Sequence, residues 1–183
     1  MSPERPRRST RELRASCDET LDAVRRRFEQ LESAVAQFSP DLDETAFTAA
    51  WNSDDPIERN RADSVLSSFE KTYMLLMDLI ALSVKIGRRL GVVTGDEKSS
   101  PVEVLRELKV VSADAERALR VQREVRNSSQ HVYVELSVPD LREATKQQLD
   151  TSPRIIRGVA SWVKALPPEP AEEASSPASP GER

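Results

Sequence analysis

From Cys17 onward the apolar residues Cys17, Leu21, Val24, Phe28, Leu31, Val35 and Phe38 follow one another at steps of four and three. That 4-3 alternation is the a/d pattern of a helix seam, and it persists for about three heptads. Arg25, Arg26, Arg27, Glu29 and Glu32 fall outside it. The spacing predicts a long helix from about residue 10 to residue 38, closed by Ser39-Pro40. A stripe this narrow suits packing against another helix, either of the same chain or of a second copy, and the spacing leaves both open.

The remainder also reads as helix, because the 183 residues hold only 5 glycines and prolines 40, 56, 101, 139 and 153 act as segment marks. Proline disfavours helix in the residue before it and is tolerated in the first turn. Asp41 to Trp51 reads as a short helix, followed by a polar turn ending at Pro56 that can cap the next one. Ile57 to about Leu90 is the longest stretch. Val65, Leu66, Phe69, Tyr73, Leu76, Ile80 and Val84 repeat at three and four, and Met74, Leu75, Met77 and Leu79 widen the stripe. We read it as the central core helix, with Met74 and Met77 packed in the core. After the loop 91–100, helix restarts at Pro101 with Val102, Leu105, Leu108 and Val111 on one face. Another helix follows from about Asp114, with Ala115, Ala118, Leu119 and Val125 inward. Residues 132–138 favour extended structure, so this helix should end near 131–136. A last helical region, Leu141 to Leu166, should be interrupted near Thr151-Ser152-Pro153. Residues 167–183 hold five of the twelve prolines and no large apolar side chain, the composition of a disordered tail. The expectation is an all-α chain with a flexible stretch over 1–9, the heptad helix and a short helix over 10–56, a helical core over 57–166, and the tail.

Composition narrows the function. A net charge of −4 means that nucleic acid would have to be bound by a local basic patch. Eight aromatic residues are too few for a single-strand stacking platform. The single cysteine, Cys17, excludes an internal disulfide framework and a multi-cysteine zinc site, and it reads as an inert seam residue. The single histidine, His131, excludes a two-imidazole metal site in one copy. Asp41, Asp43, Glu44, Asp54 and Asp55 lack calcium-loop spacing and suit helix caps. No metal or other cofactor is therefore expected. The most apolar stretch, Tyr73 to Ile86, is cut by Asp78 and Lys85, so no membrane span is expected. With no apolar signal region in MSPERPRRST, a cytoplasmic location is expected.

Residues 126–133 read Arg-Asn-Ser-Ser-Gln-His-Val-Tyr. Together these are reagents for cleaving a phosphodiester without metal. An imidazole near neutrality can take the 2′-hydroxyl proton or protonate the leaving oxygen, and a guanidinium can hold phosphate oxygens as charge builds on them. On one helix Arg126 and His131 lie about 140° apart. They converge only if the arginine wraps round, if the helix ends near His131, or if two copies of the motif meet across an interface. Arg117, Arg120, Arg123 and Arg126 recur every third residue, a stripe that can hold an RNA backbone or simply be solvated beside Glu116 and Glu124. Asp78 within an apolar helix is costly unless satisfied.

The R-x4-H-x-Y pattern, with a polar residue after the arginine, resembles the HEPN superfamily, and within it the HepT-like toxins of HepT/MntA toxin–antitoxin systems. The resemblance covers roughly residues 57–166. It implies an antiparallel all-α bundle that forms a homodimer or higher even oligomer, with two motifs facing each other in a cleft. It also implies a metal-independent endoribonuclease acting on RNA such as tRNA or mRNA, with Arg126 and His131 as the catalytic pair and Asn127 orienting them. Asp78 sits where such proteins carry an acidic residue in the core helix. By the same resemblance, Tyr133 is the residue that an MntA-like nucleotidyltransferase antitoxin modifies with AMP, in a system of the type VII kind. The alternative is a non-catalytic binding module, either a HEPN-like domain that partners a nucleotidyltransferase or a coiled-coil adaptor using the 17–38 seam.

Overall fold

The computed structural model describes residues 9–39, 41–94, 98–130 and 136–168. They form six helices and no strand: α1 (Thr10–Ala36), α2 (Glu44–Trp51), α3 (Pro56–Arg89), α4 (Pro101–Glu107), α5 (Ala113–Gln130) and α6 (Val138–Ala165). None of the described helices is long and apolar enough to cross a membrane. Of the expected flexible stretch over 1–9, residues 1–8 lie outside the described residues and Ser9 caps α1; of the expected disordered tail over 167–183, residues 169–183 lie outside them.

Local chemistry sets most of the helix starts. Ser9 and Glu12 form a capping box at α1, and Ser100 and Glu103 form another at α4. Asp43, Asp55 and Ser137 each accept a backbone N–H of the first turn of α2, α3 and α6. The short helix starts at Glu44 and not at Asp41, because Leu42 takes a left-handed turn (φ 50°) and Asp43 is the cap. At the other end of α3, Gly91 has φ +69°. Its N–H donates to the Arg88 carbonyl and that of Val92 to the Gly87 carbonyl, a Schellman closure that needs a residue tolerant of positive φ.

Three further expectations change. Helix α4 ends at Glu107, and Lys109 turns left-handed (φ 58°), so Leu108 leaves the apolar face and is 40% exposed while Val111 is still buried. Helix α6 begins at Val138 and is not interrupted at Pro153. Ser137 supplies a cap ahead of Pro139, so Val138 is helical and not extended. At Pro153 one backbone hydrogen bond is lost, but Thr151, Ser152, Ile155 and Ile156 around it are buried. The Gln147 and Asp150 carbonyls just before it accept from the Thr151 hydroxyl at 2.6 Å and Arg154 Nε at 3.2 Å. Tertiary burial thus outweighs a local penalty of about 3 kcal/mol.

Four long helices make an up-down-up-down bundle. Helix α1 runs antiparallel to α3, since Arg61 near the start of α3 donates to the Gln37 carbonyl at the end of α1. Cys17, Leu21 and Leu79 line one pocket at the opposite end of that pair. The heptad seam is therefore used within the chain: Cys17, Val24, Leu31, Val35 and Phe38 are buried, and Leu21 and Phe28 are half-buried. Helices α3 and α6 run parallel, with Gln148 bonded to the Phe69 carbonyl and Trp162 beside Gly87. Helix α5 is antiparallel to both.

Two apolar clusters fill the bundle. One holds Leu13, Cys17, Val24, Leu76, Ile80, Leu119, Ile155 and Val159, the other Leu31, Phe38, Phe47, Phe69, Val125 and Leu141. Residues 10–56 contribute to both, so they do not stand apart from the 57–166 core. Where the clusters meet lies a buried polar layer of Thr72, Gln122, Gln148, Thr151 and Ser152. Gln148 Nε2 reaches Gln122 Oε1 at 3.4 Å, and Gln122 Nε2 reaches Thr151 Oγ1 at 3.5 Å. Buried amides hold helices in one register when their partners are other helices, since a shift leaves them unpaired.

Candidate functional site

Helix α5 leads into the motif and is described to Gln130, the residue before His131. His131 and Tyr133 lie outside the described residues. Arg126 and Asn127 are on the last turns of α5, Arg126 half-buried and Asn127 exposed. The end of α5 is tied to α3 through Glu70. Gln130 Nε2 donates to Glu70 Oε1 at 3.0 Å, and the Ser129 hydroxyl lies between that same carboxylate oxygen and the Arg126 carbonyl. The polar Ser-Gln pair thus anchors the motif helix.

Between α3 and α5 runs a groove of about 220 Å³, with Tyr73 and Met77 on one wall and Glu116, Leu119, Arg120 and Arg123 on the other; the start of α4 closes its end. Tyr73 is only 6% exposed. Burial raises the pKa of its phenol above the ordinary value, while the guanidinium groups of Arg123 and then Arg126 pull it back. Tyr73, Arg123 and Arg126 are therefore electrostatic neighbours. Sequence reading places Tyr73 in the apolar stripe and gives Glu70 no role. Only the facing of α3 and α5 brings them to the motif.

The arginine stripe does not act as one surface. Three residues fall about 60° short of a full turn, so the stripe winds half-way round α5 between Arg117 and Arg126. Arg117 points to solvent and pairs with Asp114, and Arg120 lies 3.8 Å from Glu116, which also holds Arg106 at 3.0 Å. Among the described residues Arg123 and Arg126 have no ion-pair partner, and these are the two whose charges act on Tyr73. A cation that is half-buried and unpaired is poised for an anion, because a carboxylate or phosphate would be met without breaking an existing bridge.

Asp78 is exposed, about a quarter-turn round α3 from Met77, and does not line the groove. The desolvation cost expected for a carboxylate in this helix does not arise. Met74, expected in the core, is 45% exposed, whereas Met77 packs against the first cluster. Burial, then the Asp18 charge, pushes the Cys17 thiol up to about 11, which keeps it protonated and unreactive. No group of three or more His, Cys, Asp or Glu side chains converges as a metal site among the described residues. Compared with known proteins, the chain matches no family model, no curated protein and no solved structure.

Proposed function

We propose that this chain is a metal-independent endoribonuclease of the HEPN, HepT-like kind, a toxin that acts as a homodimer in the cytoplasm. One observation carries the reading: Arg126 stands half-buried and, among the described residues, without an ion pair on the helix described up to Gln130, the residue before the only histidine. The all-helical bundle and Arg123 beside it, which has no ion-pair partner among the described residues, are compatible with a phosphate lodging at the end of the α3/α5 groove.

In this reading His131 takes the proton of a ribose 2′-hydroxyl. The freed oxygen attacks phosphorus, the bond to the 5′-oxygen breaks, and a second imidazole, that of the partner's copy of the motif, returns a proton to the leaving oxygen. The products are a 2′,3′-cyclic phosphate and a 5′-hydroxyl. Arg126 holds the non-bridging oxygens as negative charge grows on them, with Asn127 orienting the pair. Transfer of AMP to Tyr133 by a nucleotidyltransferase antitoxin would place a phosphate against Arg126 and occupy the position of the substrate's own. Of the binding-module alternatives, the coiled-coil adaptor loses its surface, because the 17–38 seam is buried within the chain.

The test uses purified full-length protein, unmodified at Tyr133, incubated in EDTA with labelled tRNA and a synthetic RNA. Fragments ending in 2′,3′-cyclic phosphate are expected from the wild type. Arg126→Ala should cut roughly 100-fold more slowly, and His131→Ala should be inactive, both with unchanged helicity. Equal cleavage by His131→Ala, or none by a folded wild type, overturns the proposal.

A further inference from the structure

Helix α3 carries an ordered strip on the side it does not bury. Its inward face carries Val65, Phe69, Leu76 and Ile80, all fully buried. On the opposite face Ser67, Lys71, Met74, Asp78, Ala81 and Lys85 follow one another at steps of four, three, four, three and four. Of these only Ser67 is half-buried; the other five are exposed. Half-buried Leu75, Met77 and Leu82 border the strip. The strip thus has an exposed methionine at its centre and half-buried apolar residues at its margins, less polar than a wholly solvated face.

The charges on this strip are unpaired in a telling way. Opposite charges stabilise a single helix at spacings of three or four, and neither Lys71 nor Asp78 has an opposite charge at those positions. Among the described residues Lys71, Asp78 and Lys85 have no ion-pair partner, and Asp63 has only a loose contact with Arg59 at 3.6 Å. The pattern is instead complementary to itself when reversed. Lys71 and Asp78 stand equally far on either side of the Met74–Leu75 peptide. Ser67 and Ala81, and Asp63 and Lys85, stand equally far on either side of Met74. The two centres differ by half a residue, about 0.75 Å of helix rise.

We propose that this outward strip of α3 is the docking surface for a second copy of the chain, with the two α3 helices antiparallel about a two-fold axis at Met74. In that arrangement Lys71 meets the partner's Asp78 and Asp78 meets the partner's Lys71. Asp63 and Lys85 form the same exchange further out. Met74 packs against the partner's Met74, and the small side chains of Ser67 and Ala81 let the helices approach closely. An isologous contact requires this property of a single patch: each residue on one side of the axis must suit its counterpart on the other. The surface locates the pairing of copies invoked for the nuclease, but it rests on the strip alone and stands without that reading.

The charge pattern supplies the test. Lys71→Asp in the full-length protein sets aspartate against the partner's Asp78 twice per dimer, and Asp78→Lys sets lysine against lysine. Sedimentation velocity over a micromolar dilution series should show a dimer for the wild type, with the dissociation constant raised roughly 10-fold or more in each single variant. The double variant Lys71→Asp/Asp78→Lys should return to within about 3-fold of wild type, because the pairs are restored with their signs exchanged. Both residues are exposed, so circular dichroism should stay unchanged. A wild-type monomer throughout the series, or a dimer indifferent to the single reversals, overturns the proposal. RNA cleavage is read separately: a dimer without cleavage sinks the nuclease reading alone, a dimer that cleaves but is indifferent to the single reversals sinks this surface alone, and cleavage by a strict monomer sinks both this surface and the two-copy mechanism.

Discussion

Replacing Gly158 by alanine should destabilise the protein, although it is a glycine in the middle of a helix. In an exposed helix the change is favourable by about 1 kcal/mol, since alanine has the higher helix propensity and glycine loses more backbone freedom on folding. Here a Cβ at position 158 would lie 2.6 Å from the Val110 carbonyl oxygen, a backbone atom that cannot swing aside. The segment carrying it is held in place. The Val110 and Val111 N–H groups both donate to the Leu105 carbonyl, at 2.9 and 3.2 Å, and Val111 is buried in the first cluster. The 108–112 turn must therefore lift off α6. Overpacking of this kind costs about 1–3 kcal/mol, which leaves a net loss on the order of 1 kcal/mol after the propensity gain. For a chain of this length that lowers Tm by roughly 2–4 °C. Thermal unfolding followed by circular dichroism gives the sign, and hydrogen exchange at Val110 to Ser112 should quicken in the variant. A Tm at or above wild type would refute the close approach of the α4–α5 turn to α6, and with it the way that turn aims α5.

Two other perturbations test the ends of the bundle. Arg14 donates to the carbonyls of Leu166 and Pro167 at 3.1 and 2.7 Å and approaches that of Val163 at 3.4 Å, closing the C-terminus of α6 from α1. Arg14→Met keeps the packing of the stem and should cost about 1 kcal/mol, with faster amide exchange over the last turn of α6; unchanged exchange there would show that the cap contributes nothing. Cys17 should react with a thiol reagent at pH 8 far more slowly in the native than in the denatured protein. Its folded pKa, about 11, lies above the ordinary 9.0, so the folded state holds the proton more tightly. Stability linked to Cys17 is then fully present below pH 9 and declines as pH rises towards 11. A Cys17→Ala variant should lack that alkaline decline, and an identical decline in the variant would assign it to other groups.

The motif illustrates how far a one-dimensional reading carries. Arg126, Asn127, His131 and Tyr133 are legible as a set because their chemistry is intrinsic to the side chains and their spacing is fixed along the chain. Glu70 and Tyr73 are not legible as their neighbours, being some 55 residues earlier in an apolar stripe. The one signal within reach was the polar Ser129-Gln130 pair, which asks for an acceptor and finds it in Glu70. Asp78 was legible as anomalous, but not as exposed, because the apolar residues round it are divided between an inward face and an outward strip.

What the sequence determined by itself is local. Caps at Ser9, Asp43, Asp55, Ser100 and Ser137, each with a donor two or three residues away, start helices wherever the chain is placed, and Gly91 ends one because its backbone tolerates positive φ. The 4-3 spacing in α1 made a seam certain and left its partner open. Tertiary structure decided that α3 covers it, that α6 passes through Pro153 without a break, and that Met74 faces outward. Each of those outcomes depends on which helix face meets which other helix. That is settled by burial summed over residues far apart in the chain, and no single segment contains the information.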